Sequence, residues 1–174
     1  MQEYTVRELK PSDFESLIDT FYSFFDEAKA DPSFGLVLHH EKPSMADEHR
    51  WFADFLSQIE RGNALAVVAE AGHQVVGMCD IRRRMPKSAV AHRGELGLFV
   101  RKGYRGRGIG ESLMRKAIEL ASGKFECIEL AVFSNNEPAK KLYRKMGFRT
   151  IGNVPKAIKR GDQYFDEDVM ILFI

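Results

Sequence analysis

Glu95-Leu-Gly-Leu-Phe-Val-Arg-Lys-Gly-Tyr-Arg-Gly-Arg-Gly-Ile-Gly110 runs on into Glu111-Ser-Leu-Met-Arg-Lys-Ala-Ile-Glu-Leu-Ala121, and the residue pattern changes twice along the way. Leu96, Leu98, Phe99 and Val100 form a short apolar run rich in strand formers. A basic turn follows, with Arg101, Lys102, Arg105 and Arg107 spaced among Gly103, Gly106, Gly108 and Gly110. Ile109, Leu113, Ala117, Leu120 and Ala121 then recur at helical spacing. The segment predicts strand, glycine loop, helix. Glycines let the backbone approach a ligand closely, and the first amides of a helix have no partner inside it. Those amides, the positive end of the helix dipole and the nearby arginines make an anion site suited to phosphate or pyrophosphate.

A Walker loop is excluded, because no lysine followed by Ser or Thr closes the glycine run. A dinucleotide fingerprint is excluded too: its third glycine falls on Glu111 when read from Gly106 and on Leu113 when read from Gly108. What fits is Arg-x-x-Gly-x-Gly at Arg105, Gly108 and Gly110. A second pattern lies downstream, Asn-x-x-Ala-x-x-x-Tyr-x-x-x-Gly-Phe at Asn136, Ala139, Tyr143, Gly147 and Phe148. Together the two resemble the acyl-CoA loop and the second hallmark of the GNAT superfamily of N-acetyltransferases, over roughly Glu95 to Phe148. The resemblance implies an α/β (α+β) fold. Its twisted, mostly antiparallel mixed sheet has six to seven strands flanked by about four helices, and a splayed parallel pair opens the acyl-CoA cleft.

It also implies roles. Acetyl-CoA is the co-substrate and no metal takes part. The backbone of Arg105, Gly106, Arg107, Gly108, Ile109 and Gly110 holds the pyrophosphate, and Leu98, Phe99 and Val100 pair with the pantetheine arm as with an added strand. Asn136 hydrogen-bonds the same arm, and either Asn135 or Asn136 caps the helix that follows. Tyr143 is the expected general acid, since a phenol near ~10 can donate to a thiolate whose thiol titrates near ~8.5. Glu95 is the expected base, acting through water, with Glu129 on the neighbouring strand as the alternative. The expected acceptor is a primary amine, on a peptide N-terminus, a polyamine or another small amine, and dimers are common among similar proteins. The rival reading is a catalytically idle acyl-CoA-binding sensor or interaction domain.

The remaining chain agrees with one domain over residues 1–174. Apolar residues make up 44% of the sequence, and 26 basic side chains balance 25 acidic ones, which gives no general case for nucleic-acid binding. Cys79 and Cys127 sit in apolar runs and read as reduced core residues. No apolar run approaches the ~20 residues of a membrane helix, and the N-terminus lacks a signal-peptide core, so a cytoplasmic location is expected. Tyr4–Leu9 alternates as a half-buried strand, and Ser12 with Glu15 predicts a capping box for a helix through Phe14, Leu17, Ile18, Phe21, Phe24 and Phe25. Residues 31–43 predict a loop, and Ser44 with Asp47 caps a second helix. His39, His40 and His49 read as solvated. Residues 64–69 and 74–81 predict an antiparallel pair ending in a solvated Arg82-Arg83-Arg84, and a strand resumes near Ala89. Lys140, Lys141, Arg144 and Lys145 predict a solvated helix face. A hairpin turned at 160–162 closes the chain, and its Asp166, Glu167 and Asp168 are candidates to attract a cationic amine.

Overall fold

The computed structural model describes residues 3–36 and 38–174, so Met1 and Gln2 of the polar N-terminus and Val37 of the expected loop lie outside the described residues. In chain order the elements are β1 (Thr5–Glu8), α1 (Phe14–Ala30), α2 (Met45–Glu60), β2 (Ala64–Ala71), β3 (Gln74–Arg83), β4 (Arg93–Val100), α3 (Ile109–Ala121), β5 (Cys127–Phe133), α4 (Glu137–Lys145), β6 (Arg149–Arg160) and β7 (Gln163–Phe173). The strands form one sheet in the order β1-β2-β3-β4-β5-β7-β6. Every pairing is antiparallel except β4 with β5. No described helix is long and apolar enough to cross a membrane.

β2 is apolar from Ala64 to Ala69 because both faces of the sheet are covered there. Leu65, Val67, Cys79, Ile81 and Leu96 join Leu113, Met114 and Ala117 of α3 in one core cluster. Ala66, Val68 and Met78 pack on the other face against Leu17, Ile18, Phe52 and Phe55 of α1 and α2. With a side-chain period of two, β4 therefore sends Leu96 and Leu98 toward α3, and Glu95, Gly97 and Phe99 toward α1 and α2.

Three local expectations are corrected. The turn into α1 is a 3₁₀ turn, Pro11–Asp13, in which the Asp13 carboxylate accepts the Lys10 N–H at 2.7 Å. Ser12 is exposed and caps nothing. Arg7 of β1 donates to both Asp13 oxygens at 2.8 Å, a charge-assisted contact that a serine hydroxyl does not offer, so the carboxylate sets the turn. The arginine triplet is solvated at Arg84, but all three side chains are also bonded inward. Arg82 donates to Asp80, Arg83 donates to the carbonyls of Ala91, Gly62 and Lys124, and Arg84 donates to Glu129. Arg83 thereby holds the 84–92 segment as turns, and β4 begins at Arg93 rather than near Ala89. Finally, Lys140 is only 8% exposed. It reaches Asp168, Glu137 and the Ser134 carbonyl, so this residue of the expected solvated face is structural.

Candidate active site

The parallel β4–β5 ladder ends early. Arg93, Gly94 and Glu95 pair with Cys127, Ile128 and Glu129, and no pairing follows. Beyond that point Leu98, Phe99 and Val100 pair only toward β3, with Cys79, Met78 and Gly77. Their other backbone edge pairs with no strand where the two part, and the Val100 carbonyl there accepts from Arg105 Nε at 2.7 Å. The opening leads into a cleft of about 690 Å³ whose lining includes Leu98, Phe99, Val100, Arg105, Gly106, Gly108, Gly110, Asn136 and Tyr143. Most of the site residues expected from sequence thus meet in one place.

At one end of the cleft, α3 starts after Gly108, its N-cap, which has φ of 80°. Gly106 also has positive φ, at 73°, and a Cβ on it would meet nothing within 4 Å. The first intrahelical bond there is from the Ser112 N–H to the Gly108 carbonyl, so the preceding amides are free to face an anion. This cradle suits a pyrophosphate, and the strand-free β4 edge suits an amide-bearing arm. The residues present therefore fit coenzyme A. One electrostatic expectation needs correcting. The Arg105 side chain does not reinforce the cradle but forms a fork with Glu27 of α1 and lies over the Phe24 and Phe34 rings. Its loop contributes backbone, while the guanidinium ties the loop to α1.

Asn136 caps α4, accepting the Ala139 N–H at 3.3 Å. A Cβ on Gly35 would clash with the Asn136 side-chain amide, so the 31–36 segment lies directly on the start of α4. Arg160 at the end of β6 holds that segment by donating to the carbonyls of Pro32, Phe34 and Leu36 at 2.7–2.8 Å. Sequence reasoning missed Arg160. Its partners lie more than a hundred residues away, and no local pattern marks them.

Tyr143 is 7% exposed, packs on Phe148 and lines the cleft with no hydrogen bond to another described residue. Burial pushes its phenol well above the usual range, with the nearby Cys79 adding to the rise. The side chain therefore keeps its proton at neutral pH.

The carboxylates are distributed differently from expectation. Glu95 is exposed on the α1–α2 face, opposite Arg82 in one register and Glu129 in the other. Glu129 is buried and held by Arg84 and Arg93. Asp168 is engaged by Lys140, Ser134 and Asn153, and Asp166 accepts the Lys156 N–H, so neither is free to attract an amine. The carboxylate that sequence reasoning overlooked is Asp80. It is buried, opposite Gly97, and its Oδ1 would stand 2.9 Å from a Cβ placed on that glycine. Burial raises its pKa, against the lowering effect of Arg82. Asp80 also lines a second cavity of about 950 Å³, between the sheet and α1–α2, together with Phe21, Glu48, Trp51, Arg82 and Phe99. Phe99 lines both cavities.

A strand splayed from its parallel neighbour, a glycine-cradled helix start and a buried tyrosine beside the opening make a cleft whose shape suits an acyl-CoA. Residues 15–148 match the model of the Acetyltransferase (GNAT) family, and the chain belongs to that family. Among curated relatives, the L-amino acid N-acetyltransferase AaaT of Escherichia coli is 35% identical over 97 residues, 55% of this chain and 56% of that protein. The chain thus spans little more than half that relative's length. The L-methionine sulfoximine/L-methionine sulfone acetyltransferase of Pseudomonas paraeruginosa is 25% identical over 138 residues, 78% of each chain. In fold, the chain matches the ribosomal-protein-alanine N-acetyltransferase of Brucella melitensis with a TM-score of 0.83 at 22% identity, covering 98% of this chain and 99% of that one. It matches yncA of Salmonella typhimurium with its cofactor acetyl-CoA at a TM-score of 0.81 and 16% identity, covering 98% and 94%.

Proposed function

We propose that this protein is an N-acetyltransferase that moves the acetyl group of acetyl-CoA directly to a primary amine while both substrates are bound. One observation carries the reading: the two cavities lie against the same unpaired end of β4 and share Phe99, one offering Tyr143 and the other Asp80. The acetyl thioester lies along the strand-free edge of Leu98–Val100, and the acceptor enters from the α1–α2 side. The names of the relatives support a small amine as acceptor, and the cavity offers the Asp80 carboxylate to meet its ammonium group.

The chemistry needs a neutral amine, so the ammonium proton must leave first. Asp80 faces the acceptor cavity and takes it, and the exposed Glu95 on the same face passes it to water. The amine nitrogen bonds to the acetyl carbon, the carbon–sulfur bond breaks, Tyr143 donates its proton to the departing thiolate, and the proton shed by the acylated nitrogen returns through solvent to the phenolate, so that CoA leaves as the thiol and Tyr143 is restored. Bringing both substrates to one strand end supplies the proximity that direct transfer requires.

Two measurements test this. A thermal-unfolding series with CoA, acetyl-CoA, ATP and NAD should show stabilisation by the CoA forms alone, of about 2.7 kcal/mol at a hundredfold excess over Kd. Thiol release from acetyl-CoA should then depend on an added primary amine. Stabilisation only by ATP or NAD, or amine-independent thiol release, would overturn the assignment.

A further inference from the structure

The acceptor cavity contains a carboxylate that the transfer chemistry does not use. Glu48, in the first turn of α2, is 5% exposed, and its Oε1 is the one buried side-chain oxygen among the described residues with no hydrogen-bond partner. It lines the cavity together with the aromatic rings of Phe21 and Trp51. A favourable interaction with the helix dipole accounts for an acidic residue in a first turn, but not for burying it with an unfilled oxygen.

Apart from His39, the cations around the cavity are already engaged. Arg82 is bonded to Asp80 and stacked over Phe55, Lys42 sits over the Tyr22 ring, and Arg50 pairs with Asp47. His39 faces Glu48 electrostatically, and Asp47 adds negative charge beside it. Burial moves the Glu48 carboxyl upward, with His39 opposing the rise and Asp47 adding to it. A buried carboxylate without a partner is costly, and a cationic nitrogen seated against it and the neighbouring aromatic faces removes the cost.

We propose that Glu48 is a specificity residue that binds a second cationic group on the acceptor, so that the preferred substrate class is a compact diamine or an amine with a basic tail. This deepens the transferase reading and rests on it for the location of the reacting amine. The reacting nitrogen lies at the Asp80 end of the cavity, and the second nitrogen occupies the Glu48 end.

Calorimetric titration of the full chain, saturated with CoA, tests the proposal without turnover. The probes are α,ω-diaminoalkanes of graded length and n-alkylamines of matching length. One diamine should bind about tenfold more tightly than its monoamine, a typical return for one charge-assisted contact. Glu48→Gln, nearly isosteric, should abolish that preference without lowering the unfolding temperature. Glu48→Asp, which keeps the charge but retracts it, should move the optimum to a longer diamine. Equal binding of the two series by the wild-type protein, or a preference that survives Glu48→Gln, overturns the proposal. Diamine-selective binding with no amine-dependent thiol release would instead defeat the transferase reading and leave the cation site standing.

Discussion

Tyr143 and Asp80 face the same strand end from opposite sides, and burial affects them in opposite functional senses. Raising a phenol's pKa keeps the proton on, as a donor needs. Raising a carboxyl's pKa brings a base closer to the pH at which it works. Tyr143→Phe should lower kcat by about a hundredfold or more. The unfolding temperature and CoA affinity should stay close to wild type, because the hydroxyl bonds no other described residue. Unchanged turnover would remove Tyr143 from the mechanism. For Asp80, kcat/KM should rise with pH as the carboxyl, held above its ordinary range, loses its proton. Asp80→Asn should flatten that rise and cost about a hundredfold at neutral pH, whereas Glu95→Gln should cost much less. A pH–rate profile of the three proteins decides between the two carboxylates. Sequence reasoning chose Glu95 because the strand leading into the glycine loop carries it. Asp80 lies on the preceding strand, and only the register that places it opposite Gly97 reveals its position.

At the level of elements, the cleft depends on how a helix starts and how a loop is held. Gly108 adopts φ of 80° as the N-cap of α3, a conformation costing about 1–2 kcal/mol for other residues. Gly108→Ala should therefore lower the unfolding temperature by about 2–8 °C and weaken CoA binding at the same time, as scanning calorimetry with and without CoA would show. Opposite the glycine loop, residues 33–36 line the cleft and are fixed by three carbonyl acceptors on Arg160. Arg160→Ala should raise the KM for acetyl-CoA about tenfold with a smaller change in kcat, a loss that hydrogen bonds to a charged donor readily account for. Lysine should restore little of it, since one ammonium does not span three carbonyls as a guanidinium fork does. These elements differ in how legible they were. The segments 95–121 and 136–148 are local, with spacings that are themselves the fold signal, and they were readable directly. Arg160, Arg83 and the acceptor cavity are assembled from residues far apart in sequence, which no periodicity reports. The α1 cap was misread for the same reason, because Asp13 takes its role from Arg7 on another element.

Across the whole molecule, the face that positions Tyr143 is tied to the far half of the sheet by one buried polar knot. Lys140 of α4 meets Asp168 of β7 at 2.8 Å, and Asp168 also accepts from Ser134, just after β5, and from Asn153 of β6. The lysine, the asparagine and the hydroxyl together bring the Asp168 carboxyl down to about 2. An unfolded aspartate titrates near ~3.9, so the folded state binds this proton less readily than the unfolded one. The resulting stabilisation is fully present above about pH 4 and is lost as the pH falls toward about 2. The unfolding temperature should accordingly drop through that window. Asp168→Asn should start lower at neutral pH, because Lys140 loses a buried partner, and should then show a shallower decline on acidification. Because α4 carries both Lys140 and Tyr143, the same variant should lose turnover in proportion to its loosened helix, with acetyl-CoA binding affected through Asn136. Parallel acid slopes for the two proteins would mean that the knot does not bear on acid stability, and the decline would then belong to other carboxylates, with Asp13 and its partner Arg7 the next to substitute.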